Sequence, residues 1–252
     1  MVRIILLLMV MSFTNGYAKT SVKSKKINNA IVPVTRLEYD FYNWEERHKE
    51  VIDLTKKRDA QLVFIGDSIT HIFGGEPKSK IARGNDIWQQ YYSKYNPINM
   101  GFGWDRTQNV LWRIRNGELD NISPKVIVLM IGTNNFTGTK NARSNTPQEV
   151  AVAIKTICES IHKKLPKTQI ILLSILPRTK SFYTNRIKKA NELISKFNEL
   201  SYINYLNLYD CFLDKNKQLK KELMHDKVHP NSKGYKIWAE KMNPLLMKLI
   251  KQ

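Results

Sequence analysis

Cysteine is scarce in this 252-residue sequence, which contains only Cys158 and Cys211. Neither residue belongs to a CxxC pair, and the HExxH motif is absent, so no local spacing predicts a zinc site. In an oxidising compartment the two thiols could form a disulfide. We instead expect them to be unpaired, because two cysteines in a large domain can each be a separate buried residue.

Long hydrophobic runs are also missing. The N-terminal run, residues 4–11, is too short to cross a bilayer, follows the basic residue Arg3 and precedes Gly16-Tyr17-Ala18. This order is typical of a secretory signal peptide. We predict a signal peptide over residues 1–18, cleavage after Ala18, a basic N-terminal extension over residues 19–36 and export to the periplasm or the extracellular space.

Acidic residues are few: 22 face 41 basic residues, for a formal net charge of +19. This balance favours a lysine-rich solvated surface, although it could also attract anionic envelope polymers, acidic glycans or nucleic acid. No recognised nucleic-acid motif accompanies the charge, so we expect no specific nucleic-acid partner. The hydrophobic content of 42% is that of a folded domain, and a chain of this length can bury a large core.

Two common functional motifs are absent as well. The sequence has no GxSxG, which excludes the nucleophile elbow of α/β-hydrolases. The glycines of the Gly101–Gly103 loop superficially resemble a dinucleotide-binding loop, but Arg106 stands where the third glycine is needed. We therefore predict no nucleotide cofactor and no metal.

Apolar strands alternate with amphipathic helices along the chain. The strands are predicted at 62–65, 97–100, 126–131, 170–176 and 202–206, and the helices at 37–58, 84–94, 106–116, 147–165, 185–199 and 232–250. Continuous apolar strands between helices indicate a parallel sheet with helices on both faces. No repeat or low-complexity linker interrupts the pattern, so we predict one α/β domain over residues 37–252.

Polar residues follow the predicted strands at two points that could carry chemistry. Ser68 comes directly after the first strand in Gly66-Asp67-Ser68, and Asn134 follows the central strand in Gly132-Thr-Asn134. Ser68 could simply cap a helix, and Asn134 could simply form an Asx turn. The carboxyl edge of a parallel sheet is also where ligands bind, so both are candidate site residues.

A carboxylate and an imidazole lie three residues apart near the C-terminus, in Asp226-Lys-Val-His229-Pro230. This spacing allows Asp226 to contact His229 from one short loop. A serine hydroxyl needs an imidazole to accept its proton, and the imidazole needs a carboxylate to hold its tautomer. His225 is a competing base, but it has no carboxylate at a similar spacing, and His71 is a possible neighbour of the site.

Together these segments resemble the four sequence blocks of the SGNH (GDSL-type) hydrolase superfamily. The matching blocks are residues 63–68, the Gly101–Gly103 loop, residues 132–134 and residues 226–230. Three further strings are similar to the branch that includes the platelet-activating factor acetylhydrolase catalytic subunit: residues 107–113, 116–119 and 176–178. The resemblance covers roughly residues 60–250 and implies a three-layer α/β/α, flavodoxin-like domain with a parallel five-stranded sheet.

The resemblance also implies roles for individual residues. Ser68 would be the nucleophile, His229 the general base and Asp226 its orienting partner. The oxyanion would be bound by the Ser68 N–H, the Asn134 side chain and a backbone N–H of the second block. The family usually has glycine where this chain has Trp104, so either Trp104 donates from an ordinary backbone conformation, with its indole as a pocket wall, or Gly103 is the donor. We expect Trp104.

The expected activity is that of a secreted, cofactor-independent serine esterase. Its substrate would be a small-molecule or glycan acyl ester, with acetyl esters of carbohydrates expected first. Lipid acyl hydrolysis, as by a lysophospholipase, is the alternative within the enzyme class. A non-catalytic protein that binds anionic envelope surfaces is the alternative outside it. The oligomeric state stays open.

Overall fold

The computed structural model describes residues 27–251. A parallel five-stranded sheet forms its centre, in the order β2-β1-β3-β4-β5. The strands are β1 (Leu62–Gly66), β2 (Ile98–Gly101), β3 (Val126–Met130), β4 (Gln169–Leu173) and β5 (Ile203–Leu206). This order is the flavodoxin-like one, in which the chain reverses direction across the sheet between β1 and β3.

Within residues 27–251, seven α-helices cover the two faces of the sheet. They are α1 (Trp44–Lys57), α2 (Ser68–His71), α3 (Asn85–Tyr92), α4 (Thr107–Arg115), α5 (Pro147–Lys164), α6 (Ser181–Ile194) and α7 (Ser232–Ile250). Side chains of α1, α4, α5 and α6 share one core with alternate strand residues such as Val63, whereas those of α2, α3 and α7 share the other with residues such as Phe64. The predicted three-layer α/β/α class with a parallel sheet is therefore confirmed.

Several predicted boundaries shift because side chains bind backbone groups locally. Helix α1 begins at Trp44 instead of residue 37, because the Asn43 side chain accepts the N–H groups of Glu45 and Glu46. Strand β4 ends at Leu173, three residues early. Beyond it, the Asn191 side chain brackets the backbone of Ile175 with two hydrogen bonds of 2.9 Å.

The N-terminal region is only partly described. The predicted signal peptide and its cleavage site lie outside the described residues, as does the first part of the predicted basic extension. Residues 27–36 pack against the domain: Ala30 is fully buried, and the Asn28 side chain donates to the Glu149 carbonyl. No helix within residues 27–251 has both the length and the apolar character needed to cross a membrane.

Candidate active site

Ser68 lies at the carboxyl edge of the sheet, where β1 passes into the one-turn helix α2. Asp67 caps this helix, since its carboxylate accepts the Ile69 N–H at 2.9 Å. Burial raises the pKa of Asp67 to about 7. The position of Ser68 directly after the cap leaves its own N–H without a partner in the described part of the chain. Such an N–H at a helix start favours nearby negative charge.

The Asp226–His229 loop is held in shape by the residues on either side of it. Met224 and Pro230 form an antiparallel bridge, and the His225 N–H donates to the His229 carbonyl at 2.8 Å. Asn231 then caps α7 by accepting the Gly234 N–H. The loop thus carries its side chains on a closed turn anchored to the start of a long helix.

The structure brings the three predicted side chains into one hydrogen-bonded chain. His229 Nε2 lies 2.9 Å from Ser68 Oγ, across a separation of 161 residues, and His229 Nδ1 lies 2.8 Å from Asp226 Oδ2. The second carboxylate oxygen of Asp226 accepts the backbone N–H groups of Val228 and His229. This is the arrangement in which an imidazole can take a proton from a hydroxyl while its other nitrogen is held.

Asp226 is ionised in this arrangement. Burial raises its pKa, but the hydrogen bonds from the His229 backbone and ring and from the Val228 N–H outweigh burial and bring the pKa to about 2. A carboxylate in this state accepts the Nδ1–H of His229 and leaves Nε2 free to act as a base toward Ser68. His225, the competing base, is exposed and is not part of this hydrogen-bonded chain.

Asn134 opens a short 3₁₀ turn after β3 and lines the same cavity as Ser68. Its Nδ2 donates one hydrogen to the Asp105 carbonyl at 3.0 Å. Because a side-chain amide carries two N–H groups, this bond orients the amide and leaves its second N–H available. The bond thus ties the Asn134 side chain to the loop that follows Gly103.

Trp104 adopts a left-handed backbone conformation with φ of 62°. The expectation of an ordinary backbone conformation is therefore wrong. Left-handed geometry brings Cβ close to the following carbonyl and costs about 1–2 kcal/mol for a residue with a side chain. Within residues 27–251 the Trp104 N–H has no acceptor, and its indole lines the cavity with 37% of the residue exposed.

Gly103, the alternative donor, has its N–H engaged. That N–H donates to His71 Nδ1 at 3.2 Å. Burial and the charges of Arg47 and Arg113 lower the pKa of His71 to about 2, so the ring is neutral and Nδ1 can accept. Of the backbone N–H groups of Gly103 and Trp104, that of Trp104 is therefore the one without a partner among the described residues.

The cavity above Ser68 has a volume of about 200 Å³. Besides the predicted residues, it is lined by side chains that the sequence did not single out for this site: Asp40, Phe41, Ile72, Ile81, Arg83 and Val228. Phe41 and Trp104 are each exposed to more than a third of their area, so the rim presents two aromatic faces to solvent. Burial raises the pKa of the Asp40 carboxyl.

Arg178 also lines the cavity, from the loop after β4. Its guanidinium donates to Thr137 Oγ1 at 3.1 Å and stacks over the Tyr183 ring, with Cζ 3.9 Å from the ring centroid. The residue occurs in the string 176–178 that carried the family resemblance, but its place in the cavity follows only from the fold.

Within residues 27–251, the structure contains neither a disulfide nor a cluster of side chains that could bind a metal ion. Cys158 is buried in α5 and Cys211 is half-buried, and both are free, as expected. No group of three or more His, Cys, Asp or Glu side chains in this range is arranged to hold a metal ion.

Comparison with known proteins shows the family. The model of the GDSL-like Lipase/Acylhydrolase family matches residues 64–237. The chain is 31% identical over 212 residues to the platelet-activating factor acetylhydrolase IB subunit alpha2 of Rattus norvegicus. The matched region covers 83% of this chain and 86% of that protein.

Solved structures share the fold. A GDSL-like lipase from Bacteroides thetaiotaomicron superposes with a TM-score of 0.64 at 22% identity, over 83% of this chain and 99% of that one. An acetyl xylan esterase superposes with a TM-score of 0.59 at 19% identity, over 73% of this chain and 98% of that one. The extent of the family match and the curated relative together identify the chain as an enzyme, not the non-catalytic binding protein considered above. The chain belongs to the GDSL-like lipase/acylhydrolase family of ester hydrolases.

Proposed function

We propose that the protein hydrolyses short acyl esters through an acyl-enzyme formed on Ser68. The observation that carries this proposal is the Ser68–His229–Asp226 chain, with contacts of 2.9 and 2.8 Å. His229 accepts the Ser68 proton as Oγ attacks the ester carbonyl, and Asp226 stabilises the resulting imidazolium. His229 then protonates the departing alcohol, and the acyl group remains on Ser68.

The second half of the reaction uses the same groups in reverse. Water enters where the alcohol has left, and His229 takes its proton as it attacks the acyl carbonyl. The tetrahedral intermediate collapses, the Ser68 Oγ–acyl bond breaks, and Oγ recovers its proton from His229. The products are the alcohol, the carboxylic acid and the unchanged enzyme.

The oxyanion of both tetrahedral intermediates would be bound by three donors. These are the Ser68 N–H, the Trp104 N–H and the free N–H of Asn134. The two backbone groups have no partner among the described residues, which makes them available to a new acceptor. Loss of one such donor typically costs about 10²- to 10³-fold in kcat.

For the substrate, we propose acetyl esters of carbohydrates. The cavity of about 200 Å³ suits a small acyl group. The faces of Phe41 and Trp104 can pack against a sugar ring, and the Asp40 carboxylate and the Arg83 and Arg178 guanidinium groups can bind its hydroxyls. A rim of aromatic faces with a few polar groups is typical of sites that orient a polar ring. One structural neighbour is named an acetyl xylan esterase.

Lipid acyl esters are the second candidate. An apolar groove of about 670 Å³ lies on the other side of the Asp226–His229 loop and is lined in part by Leu219, Met224 and Val228. A lipid chain could lie there while its ester enters the cavity. The curated relative is named a platelet-activating factor acetylhydrolase subunit. Faster cleavage of long-chain acyl esters than of acetyl esters would favour this candidate over the carbohydrate.

The mechanism is tested by three variants on a short-chain aryl ester. We expect Ser68→Ala to abolish turnover and labelling by a fluorophosphonate probe, which reacts only with an activated serine. Asp226→Asn should lower kcat by roughly 10³- to 10⁴-fold, because the amide no longer holds the required tautomer of His229.

His225→Ala is the matched control. His225 lies beside Asp226 on the same loop but is exposed and outside the hydrogen-bonded chain. Its replacement should leave kcat close to that of the wild type, because no bond of the Ser68–His229–Asp226 chain involves the His225 side chain. Full activity of Ser68→Ala, or equal losses in the Asp226 and His225 variants, would contradict the mechanism.

We also propose that the enzyme is exported. The basic, apolar and small-residue order over residues 1–18 supports this proposal. The mature protein recovered from outside the cytoplasm should begin at Lys19 when its N-terminus is sequenced. Recovery of an intact Met1 from a cytoplasmic fraction would contradict export.

A further inference from the structure

The peptide group between Gly103 and Trp104 is anchored at its carbonyl end. The Tyr42 hydroxyl donates to the Gly103 carbonyl oxygen at 3.1 Å, across 61 residues of sequence. In a trans peptide the C=O and the following N–H point in opposite directions. The bond from Tyr42 therefore also sets the direction of the Trp104 N–H, which has no acceptor among residues 27–251.

The neighbouring peptide groups are anchored as well. On one side, the Gly103 N–H donates to His71 Nδ1 at 3.2 Å. On the other side, the Asp105 N–H donates to the Phe102 carbonyl at 3.2 Å. The Asp105 carboxylate is also held, because it accepts Trp44 Nε1 and Arg113 Nε, each at 2.8 Å. Among the hydrogen bonds of residues 27–251, the Trp104 N–H is the one backbone donor between Gly103 and Asp105 without a partner, and Trp104 lines the cavity above Ser68.

Both anchoring side chains are held in the protonation state that the bonds need. Burial raises the pKa of Tyr42 far above its ordinary value, so the phenol keeps its proton and can donate. Burial keeps His71 neutral, so Nδ1 can accept. The two rings also contact each other edge to face, with centroids 4.4 Å apart, and Phe41 stacks on His71 at 5.4 Å.

The left-handed conformation of Trp104 makes the anchors necessary. A flip of the Gly103–Trp104 peptide would let Trp104 return to negative φ and recover about 1–2 kcal/mol. Gly103 can follow such a rotation because it has no Cβ. The flip would turn the Gly103 carbonyl oxygen toward the direction now occupied by the N–H, where its partial negative charge would repel an oxyanion.

We propose that Tyr42 and His71 are positioning residues that keep the Gly103–Trp104 peptide turned with its N–H toward the oxyanion. This inference rests on the proposed function, in which the Trp104 N–H is an oxyanion donor. Neither residue touches the reacting atoms in this role. Tyr42 acts through the carbonyl of the peptide, and His71 acts through the amide before it.

Tyr42→Phe tests the first anchor, because it removes the hydroxyl and keeps the ring that packs on His71. We expect kcat for an aryl acetate to fall by about 10- to 100-fold, somewhat less than complete loss of an oxyanion donor. KM should change by less than about twofold, because the ground-state carbonyl gains little from this donor. The rate of fluorophosphonate labelling should fall with kcat, since that adduct also places an oxygen among the donors.

Tyr39→Phe is the matched control. Tyr39 lies three residues away in the same segment, is 80% exposed and does not line the cavity, so its variant should keep wild-type kcat. A Tyr42→Phe enzyme with wild-type kcat would overturn the proposal. A rise in KM at unchanged kcat would also overturn it, because that result assigns Tyr42 to substrate binding.

A pair of His71 variants tests the second anchor even if Tyr42→Phe fails to fold. His71→Asn places an acceptor oxygen near the position of Nδ1, whereas His71→Leu has none. The proposal expects His71→Asn to retain much more kcat than His71→Leu, and equal loss in both would overturn it. Failure of the proposed function can be told apart from failure of this inference. If the proposed function is wrong, the Ser68→Ala variant keeps its activity, whatever the activities of the Tyr42 and His71 variants are.

Discussion

Trp104 combines a strained backbone conformation with a position on the cavity above Ser68. Its φ of 62° carries a conformational cost, and its indole forms part of the cavity rim. Such a residue persists only when its surroundings hold it, and strained residues of this kind often occur at functional sites. The hydrogen bonds to the carbonyl and the N–H of Gly103, directly before Trp104, supply that constraint.

Replacing Trp104 by glycine and by alanine separates the strain from the indole. Both variants lose the side chain, but only glycine adopts positive φ without cost. We expect Trp104→Gly to be more stable than Trp104→Ala by about 1 kcal/mol, the reverse of the usual order for these two residues. Urea unfolding of both variants measures this difference, and a more stable alanine variant would show that the conformation is not strained.

Helix α2 is only four residues long, so its cap contributes much of what holds it in place. Asp67 is that cap, and its carboxyl is fully enclosed beneath the active site, with 1% of the residue exposed. Burial raises its pKa from 3.8 to about 7, with smaller effects from the neighbouring charges. The stability of the short helix that begins with Ser68 therefore depends on pH.

This linkage has a definite sign. Between pH 4 and 7 the folded protein keeps the Asp67 proton, whereas the unfolded chain loses it, so rising pH favours the unfolded chain. The contribution of Asp67 to the free energy of unfolding is therefore fully present only below about pH 4. That stabilisation is lost as the pH rises toward 7. We expect the free energy of unfolding of Asp67→Asn, which keeps the capping oxygen, to fall less over this range than that of the wild type.

Asp67→Ala provides the matched comparison, because it removes both the titration and the cap. Its free energy of unfolding should show the same weaker pH dependence as that of Asp67→Asn. At every pH it should be lower than that of Asp67→Asn by about 0.5–2 kcal/mol, because the cap is missing. Urea unfolding at pH 4.5, 6 and 7.5 measures all three proteins. Parallel curves for the wild type and Asp67→Asn would contradict the raised pKa.

At the scale of the whole molecule, charge is the most unusual property. The chain carries a formal net charge of +19. We propose that this field holds the enzyme near anionic envelope polymers. Because attraction between exposed charges is screened within about 10 Å at 0.1 M salt and 3 Å at 1 M, the association must be salt-dependent.

The expected result is retention on an anionic polysaccharide at low ionic strength and release as salt approaches about 1 M. A neutral polysaccharide of the same size should not retain the enzyme at either salt concentration. Co-sedimentation measures the bound fraction, and turnover of a small uncharged ester serves to show that salt leaves the active site intact. Binding that persists in high salt would contradict an electrostatic origin.

Much of the architecture could be predicted from local patterns. Continuous apolar strands alternating with helices predicted the parallel sheet and its two helical layers, because burial on both faces of a strand is a local property of its sequence. The errors occurred at boundaries such as Asn43 and Ile175, where side chains bind backbone groups that periodicity does not register.

The sequence by itself determined the fold class and the set of candidate groups, since Ser68 and Asn134 each follow a strand and Asp226 lies three residues before His229. The tertiary structure alone decided how these groups are arranged: the 2.9 Å contact between His229 and Ser68, the left-handed Trp104 and the aromatic rim. It also decided that Tyr42 contacts the Gly103 carbonyl. Periodicity reports which face of an element is buried, whereas a hydrogen bond between residues 61 or 161 positions apart depends on how the completed elements pack.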